Sequence, residues 1–391
     1  MVAALLLLRF FDELAAFLPA GTLESFRDDL DLSYAQAGTV LAAIGPGALA
    51  GNAAAIAADF TSRRVIVVAG ALAYAASMFT FALGDSFLAM LAGGFALGAA
   101  STAMVDAGEV ALTDVADGDR LRVLLARGNL LAYVGDFLGP AILIGVSAVG
   151  WSWRSAFAVA GGLLVAYAIV LAAHPLPRAA RDEEGPSARA HVAAVLRDPL
   201  VWVLGGLSVL ISPLDETVVG FGIAYLEEDS GLAASVATMA AVAATTGGIL
   251  ALLLPSRLAR FDDDQLLVAC GTTAAASVAL FVVLPGASAL VAMLGVGAAT
   301  ALAWVVMQHR ILTARPGAAG TTKAVVSTID AIALAAPVAI GSAVDAWGLR
   351  RGMLLFVAMP IAFALLAVVG IHLSRARPLY REGDAGGQNP H

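Results

Sequence analysis

The chain has 391 residues, 60% hydrophobic and 13% charged, with a net charge of -8 and a mean hydropathy of +0.88. Soluble globular chains are about half apolar and about a quarter charged, so a fold solvated by water alone is excluded and part of the solvent must be lipid. The acidic balance, without a basic stripe, excludes a nucleic-acid partner, and a single cysteine, Cys270, excludes an intramolecular disulfide.

Met1 opens directly on an apolar run, with neither a charged leader nor a small-residue cleavage site, and 1–22 is predicted as a membrane span. A spanning helix needs roughly 20 mostly apolar residues. Further runs that meet this need are 34–58, 65–84, 87–113, 121–147, 152–173, 200–225, 232–254, 266–284, 287–312, 320–345 and 352–373. The longest polar stretch inside the chain, His174 to Asp198, falls midway, and a polar tail runs from Ser374 to His391. The expected fold is an all-α membrane protein of twelve transmembrane helices in two pseudo-symmetric six-helix halves, 1–173 and 199–373. A cytoplasmic linker (174–198) joins them and a cytoplasmic tail (374–391) follows. A cytoplasmic N-terminus places sixteen of the 22 Lys and Arg residues at inner loops and helix ends, as the positive-inside bias requires.

The halves read as a repeat. Asp12-Glu13 in the first span returns as Asp215-Glu216 in the seventh, 203 positions on. The same interval sets Ala89-Met90-Leu91 on Ala292-Met293-Leu294 and Asp59 on Asp262. Parallel repeats about an axis along the membrane normal place a solute path between the halves.

After the second span, Asp59-Phe60-Thr61-Ser62-Arg63-Arg64 resembles the signature loop Gly-x-x-x-Asp-Arg-x-Gly-Arg-Arg of the major facilitator superfamily, matching at Asp59, Arg63 and Arg64. Gly135-x-x-x-Gly139-Pro140 is similar to the core of that family's antiporter motif, and Trp151-Ser-Trp153-Arg154-Ser-Ala-Phe157 to its entry into the sixth span. The resemblance runs over essentially the whole chain. It implies alternating access, a gating role for Asp59, Arg63 and Arg64, and peripheral third helices in each triplet. The family's span-four arginine motif is replaced by Asp106 and Glu109.

Charges inside a bilayer are costly and usually face a cavity or a partner. Here they fall on spans one, four, five, seven, ten and eleven, while three, six, nine and twelve have none in their interiors. By depth, Asp12, Glu13, Asp215, Glu216 and Asp330 come near the midplane. With Arg9 and Asp136 they are the candidates for substrate binding and proton coupling, since a carboxylate away from water can exchange a proton near neutral pH or bind a cation. Adjacent Asp12 and Glu13 point about 100° apart on a helix, and Arg9 is placed for an intrahelical pair with them. An Asp106/Glu109–Arg127 cluster is the expected gate or structural ion pair. Gln308, His309 and Arg310 are candidate cavity residues.

No phosphate-binding loop surrounds the only lysine, Lys323, and neither a nucleophile elbow nor a His-Glu-x-x-His metal site occurs. The expectation is therefore not an enzyme, and no cofactor. The leading function is a secondary active transporter, a proton-coupled exporter of a small organic or amphipathic solute. Its expected partners are that small-molecule substrate, protons or another coupling ion, and the lipid bilayer, and it is expected to be a plasma-membrane monomer. Other functions on the same fold are a divalent-cation exporter, a lipid or lysolipid flippase, and a non-transporting receptor or sensor.

Overall fold

The computed structural model describes residues 1–174, 188–214, 216–254, 261–315 and 317–375. Most of the expected linker, most of the expected tail and Asp215 lie outside the described residues, as does the side chain of Glu216. The helices fall on the apolar runs read from the sequence. The first part of the chain forms α1 (Val2–Gly21), α2 (Leu23–Asp29), α3 (Tyr34–Ala42), α4 (Ile44–Ala57), α5 (Arg63–Leu83), α6 (Phe87–Leu112), α7 (Gly118–Ala148) and α8 (Trp153–Ala173). The second forms α9 (Ala188–Leu196), α10 (Pro199–Ile211), α11 (Glu216–Glu228), α12 (Ala234–Ala237), α13 (Met239–Leu252), α14 (Asp263–Val283), α15 (Ala289–Thr313), α16 (Ala319–Asp330), α17 (Ala336–Trp347), α18 (Leu349–Met353) and α19 (Leu355–Arg375). Among the described residues, ten helical stretches are long and apolar enough to cross a membrane. α1 has the length, 20 residues, but carries Arg9, Asp12 and Glu13.

Local chemistry sets the helix ends and breaks. Ser33 and Gln36 form a reciprocal capping box at the start of α3. Asp198 caps the Leu200 N–H at 3.0 Å, with Pro199 in the first turn of α10, where its missing N–H costs nothing. The run 34–57 is interrupted at Ala43, beside Gly45-Pro46-Gly47. The run 199–228 tightens into a 3-10 turn at Ser212–Leu214, around Pro213. A further 3-10 stretch, Ala331–Ala335, separates α16 from α17 directly after Asp330.

Two buried clusters hold the bundle. One draws mostly on residues between Ala4 and Leu171 and the other on residues from Val195 to Ala367. Small residues bring the helices close enough for backbone contact. A side chain on Gly47 would strike the Phe95 carbonyl, and one on Gly98 the Ile44 carbonyl, so α4 and α6 interlock. α13 and α15 repeat the arrangement, Gly247 lying against Leu294 and Gly297 against Ala244. Gly135 and Gly139 of the antiporter-like motif lie on α1, beside Glu13 and Phe17. Gly98→Leu is expected to lower stability by about 1–3 kcal/mol through overpacking. Gly145→Leu, at a position with nothing within 4 Å, should leave the melting temperature in detergent unchanged, and equal melting of the two variants would refute the interlock.

Candidate functional site

Polar links between the two parts of the chain gather at the end of the bundle that carries Asp59. One Asp59 oxygen accepts from the Gly320 N–H at 2.9 Å. The other accepts from the Thr321 N–H and hydroxyl, both at 2.7 Å. The carboxylate therefore caps the N-terminus of α16, where unpaired N–H groups and the helix dipole favour an anion. Gly320 permits the approach, since a side chain there would strike the Ala55 carbonyl. Asp59→Asn removes the charge while keeping an acceptor. It is expected to slow transport while leaving substrate affinity within a few fold, and wild-type turnover would remove Asp59 from gating.

The neighbouring arginines do something different. Arg63 pairs with Asp114 and donates to the Ala58 carbonyl at 3.3 Å, while Arg64 donates to the Ala172 carbonyl at the end of α8. Both bind within the first part of the chain. The second crossing comes from Arg122, at the start of α7, which pairs with Asp263 at 2.8 Å and donates to the Phe261 carbonyl at 3.2 Å. His309 shares Asp263 at 2.5 Å, and Arg310 pairs with Asp264 at 3.0 Å. His309 and Arg310 thus belong to this closed end, and Gln308 lines a cavity.

Deeper in, α1, α6, α7, α15 and α16 build a buried charge network. Arg9 binds Glu109 through Nε at 2.8 Å and Nη2 at 2.5 Å. Lys323 reaches across from α16 to pair with Glu109 and with Asp106 at 3.1 Å. Gln308 donates to Glu109 at 3.5 Å and accepts from Asn129 at 2.8 Å. This corrects the expected partner of Asp106 and Glu109: Arg127 is exposed on α7, and Arg9 and Lys323 hold the two carboxylates instead. The Arg9 ion pair likewise runs to Glu109 on another helix.

Beyond the network lie two adjoining cavities of about 670 and about 640 Å³. Glu13, Asn129 and Trp304 line both. Asp136 lines the first; Arg9, Asp106 and Asp330 line the second. Asp330 accepts from the Ser212 hydroxyl at 2.8 Å. Both walls take residues from both parts of the chain. Asp12 turns the other way, as the helical angle requires. It is buried and accepts from the Ser101 hydroxyl at 2.6 Å, while Tyr74 donates to its backbone carbonyl at 3.1 Å.

Sequence reasoning missed the partners Lys323, Arg122, Asp263 and Asp264. A signal for the first existed: a lone lysine inside a span requires a carboxylate.

The fold has close counterparts among solved proteins. A variant of the E. coli fucose:proton symporter FucP superposes with a TM-score of 0.80 at 16% identity, over 94% of this chain and 98% of that one. A FucP structure in the outward conformation gives 0.79 at 16% identity, with the same coverage. The proton:xylose symporter XylE gives 0.72 at 15% identity, over 94% of this chain and 95% of that one. Among curated proteins none matches the sequence. The family model described as Major Facilitator Superfamily matches residues 5–336. A match over most of the chain, on a bundle whose two parts enclose a polar cavity and meet at one end, makes this chain a member of the Major Facilitator Superfamily.

Proposed function

We propose that the protein is a secondary active transporter that moves a small organic or amphipathic solute by alternating access, coupled to protons and running as export. The observation that carries this reading is the cavity: both parts of the chain line it, polar links crossing between them close it at one end, and Glu13 stands in both of its compartments. Breaking the crossings at Asp59, Arg122 and Lys323 while forming others at the far end is the movement that alternating access needs. Proton coupling is supported by carboxylates at membrane depth and by neighbours that are proton symporters. Export is supported by the antiporter-like Gly135-x-x-x-Gly139-Pro140, whose glycines set α7 against α1 beside Glu13. Twelve spans in two halves, a plasma-membrane location with cytoplasmic termini, and a monomer belong to the same proposal.

The test is reconstitution into vesicles with an imposed pH gradient. A solute should discharge the gradient in protein-containing vesicles and not in empty ones. Solute flux with no proton movement would remove the coupling. Sidedness is tested by cysteine labelling at Ser187 and Ser230 with Cys270 replaced: the two sites are expected on opposite faces, and labelling from one face defeats the topology.

A further inference from the structure

We infer that a sodium ion binds in the wall of the second cavity, between the Asp330 carboxylate, the Ser212 hydroxyl and carbonyl oxygens of two interrupted helices; the site goes beyond the transport reading and does not depend on which solute moves. The first observation is where the helices break. The stretches 199–228 and 319–347 are each long and apolar enough to cross a membrane. Each leaves the α-helical form near its middle, at Ser212–Leu214 and at Ala331–Ala335. Irregular backbone is tolerated at that depth only where protein buries it or where it lines a water-filled cavity. Ser212, Pro213, Asp330, Ala331 and Ala333 all line the second cavity, so both breaks open on one space.

The breaks also meet. The Ser212 hydroxyl donates to Asp330 at 2.8 Å, which leaves the lone pairs of its oxygen for a cation. Gly205 of α10 lies against Ile329 of α16, so the two helices approach closely just before they end. The C-terminus of a helix carries partial negative charge on carbonyls that have no helical amide to pair with. Pro213 enforces this in α10, because it has no N–H to give the Val209 carbonyl four residues before it. Secondary transporters use such half-helix ends and unwound carbonyls to hold Na⁺ or a proton. Thr217 and Ser327 add hydroxyls to the same cavity wall.

The ligand chemistry selects the ion. The groups at this joint are hard oxygens, and among the described residues no three His, Cys, Asp or Glu gather as a metal site. Calcium draws on several carboxylates and transition metals on softer ligands, so neither suits it. One carboxylate among neutral oxygens balances a single positive charge. Coulomb attraction grows as the distance shortens, so Na⁺ gains more than the larger K⁺ from the same oxygens. A bound ion ties the end of α10 to the end of α16 within the second part of the chain, beside the space that takes the solute.

The test uses the full chain in nanodiscs, without solute, in the chlorides of Na⁺, K⁺ and choline at equal ionic strength. Melting temperature reads binding, since a ligand of the native state raises it with concentration. Na⁺ is expected to raise it along a saturating curve that K⁺ and choline do not reproduce. Asp330→Asn should move the half-maximal Na⁺ concentration up about tenfold or more, the loss of a charged contact. Ser212→Ala should move it about threefold, the loss of a neutral one. Each variant is first shown to be monodisperse with a cooperative melt; if one does not fold, the other carries the test. No shift with Na⁺, a shift with K⁺ or choline as large as that with Na⁺, or an unmoved midpoint in a folded variant would overturn the inference. Vesicle flux separates it from the transport reading. A Na⁺ response in a chain that moves no solute leaves the site standing and removes transport. Proton-driven solute flux with no Na⁺ response does the reverse.

Discussion

Replacing Lys323 by methionine is expected to destabilise the protein by about 3–5 kcal/mol, the cost of removing one partner from a buried ion pair. Lys323 holds both Glu109 and Asp106 across the boundary between the two parts of the chain. Its loss leaves two buried carboxylates facing the single charge of Arg9. Methionine keeps much of the volume, so the loss is electrostatic rather than steric. Adding Asp106→Asn should recover much of the stability, because Arg9 and Glu109 then balance one against one. Arg127→Gln, at an exposed position, should stay within about 0.5 kcal/mol of wild type. Thermal unfolding in detergent reads all three. An unchanged melting temperature for Lys323→Met, or a larger loss for Arg127→Gln, would overturn the assignment of partners.

The second large effect is expected at Glu13. If it carries the coupling proton, Glu13→Gln should reduce gradient-driven accumulation to the level of vesicles without a gradient. Exchange of solute at equal pH should survive, because exchange needs alternating access but no net proton movement. Asp12→Asn is expected to behave otherwise. Asp12 sits in the packed interior against Ser101, so that variant should lose stability while keeping its coupling ratio. Asp215→Asn and Glu216→Gln, at the repeat positions, belong in the same assay. A metal-binding role would show as weakened metal affinity independent of the pH gradient. Full accumulation in Glu13→Gln would remove Glu13 from coupling.

The helices were legible because the bilayer leaves few alternatives: an apolar run of spanning length must satisfy its own backbone. The divergence of Asp12 from Glu13 was legible for the same kind of reason, since one residue turns a helix by about 100°. Partners were less legible, because a partner depends on how each helix is rotated against its neighbours. Depth alone put Arg127 opposite Asp106, yet Arg127 is exposed while Asn129, two residues on, turns inward to Gln308. The interval of 203 positions names counterparts in the sequence, not their contacts. Counted on from Asp106, that interval arrives at His309, but Gln308 is the residue that reaches Glu109, while His309 turns to Asp263. It set Asp262 on Asp59, but Asp262 is exposed and Asp263 meets Arg122. A shift of one position is small in an alignment and a quarter-turn in a helix.

The way the inner network is divided between the two parts of the chain bears on what opening requires. Arg9, Asp106 and Glu109 stand on α1 and α6, and Lys323 stands alone on α16. Together the four are neutral; drawn apart, one side keeps an excess negative charge and the other a lone ammonium. In a dry, low-dielectric gap each separated ion would cost several kcal/mol. Parting this end is therefore a hydration event as much as a mechanical one, and the gap can widen only as fast as water follows the charges in. An osmolyte too large to enter the gap would lower the water activity there and hold the carrier shut without touching its binding site.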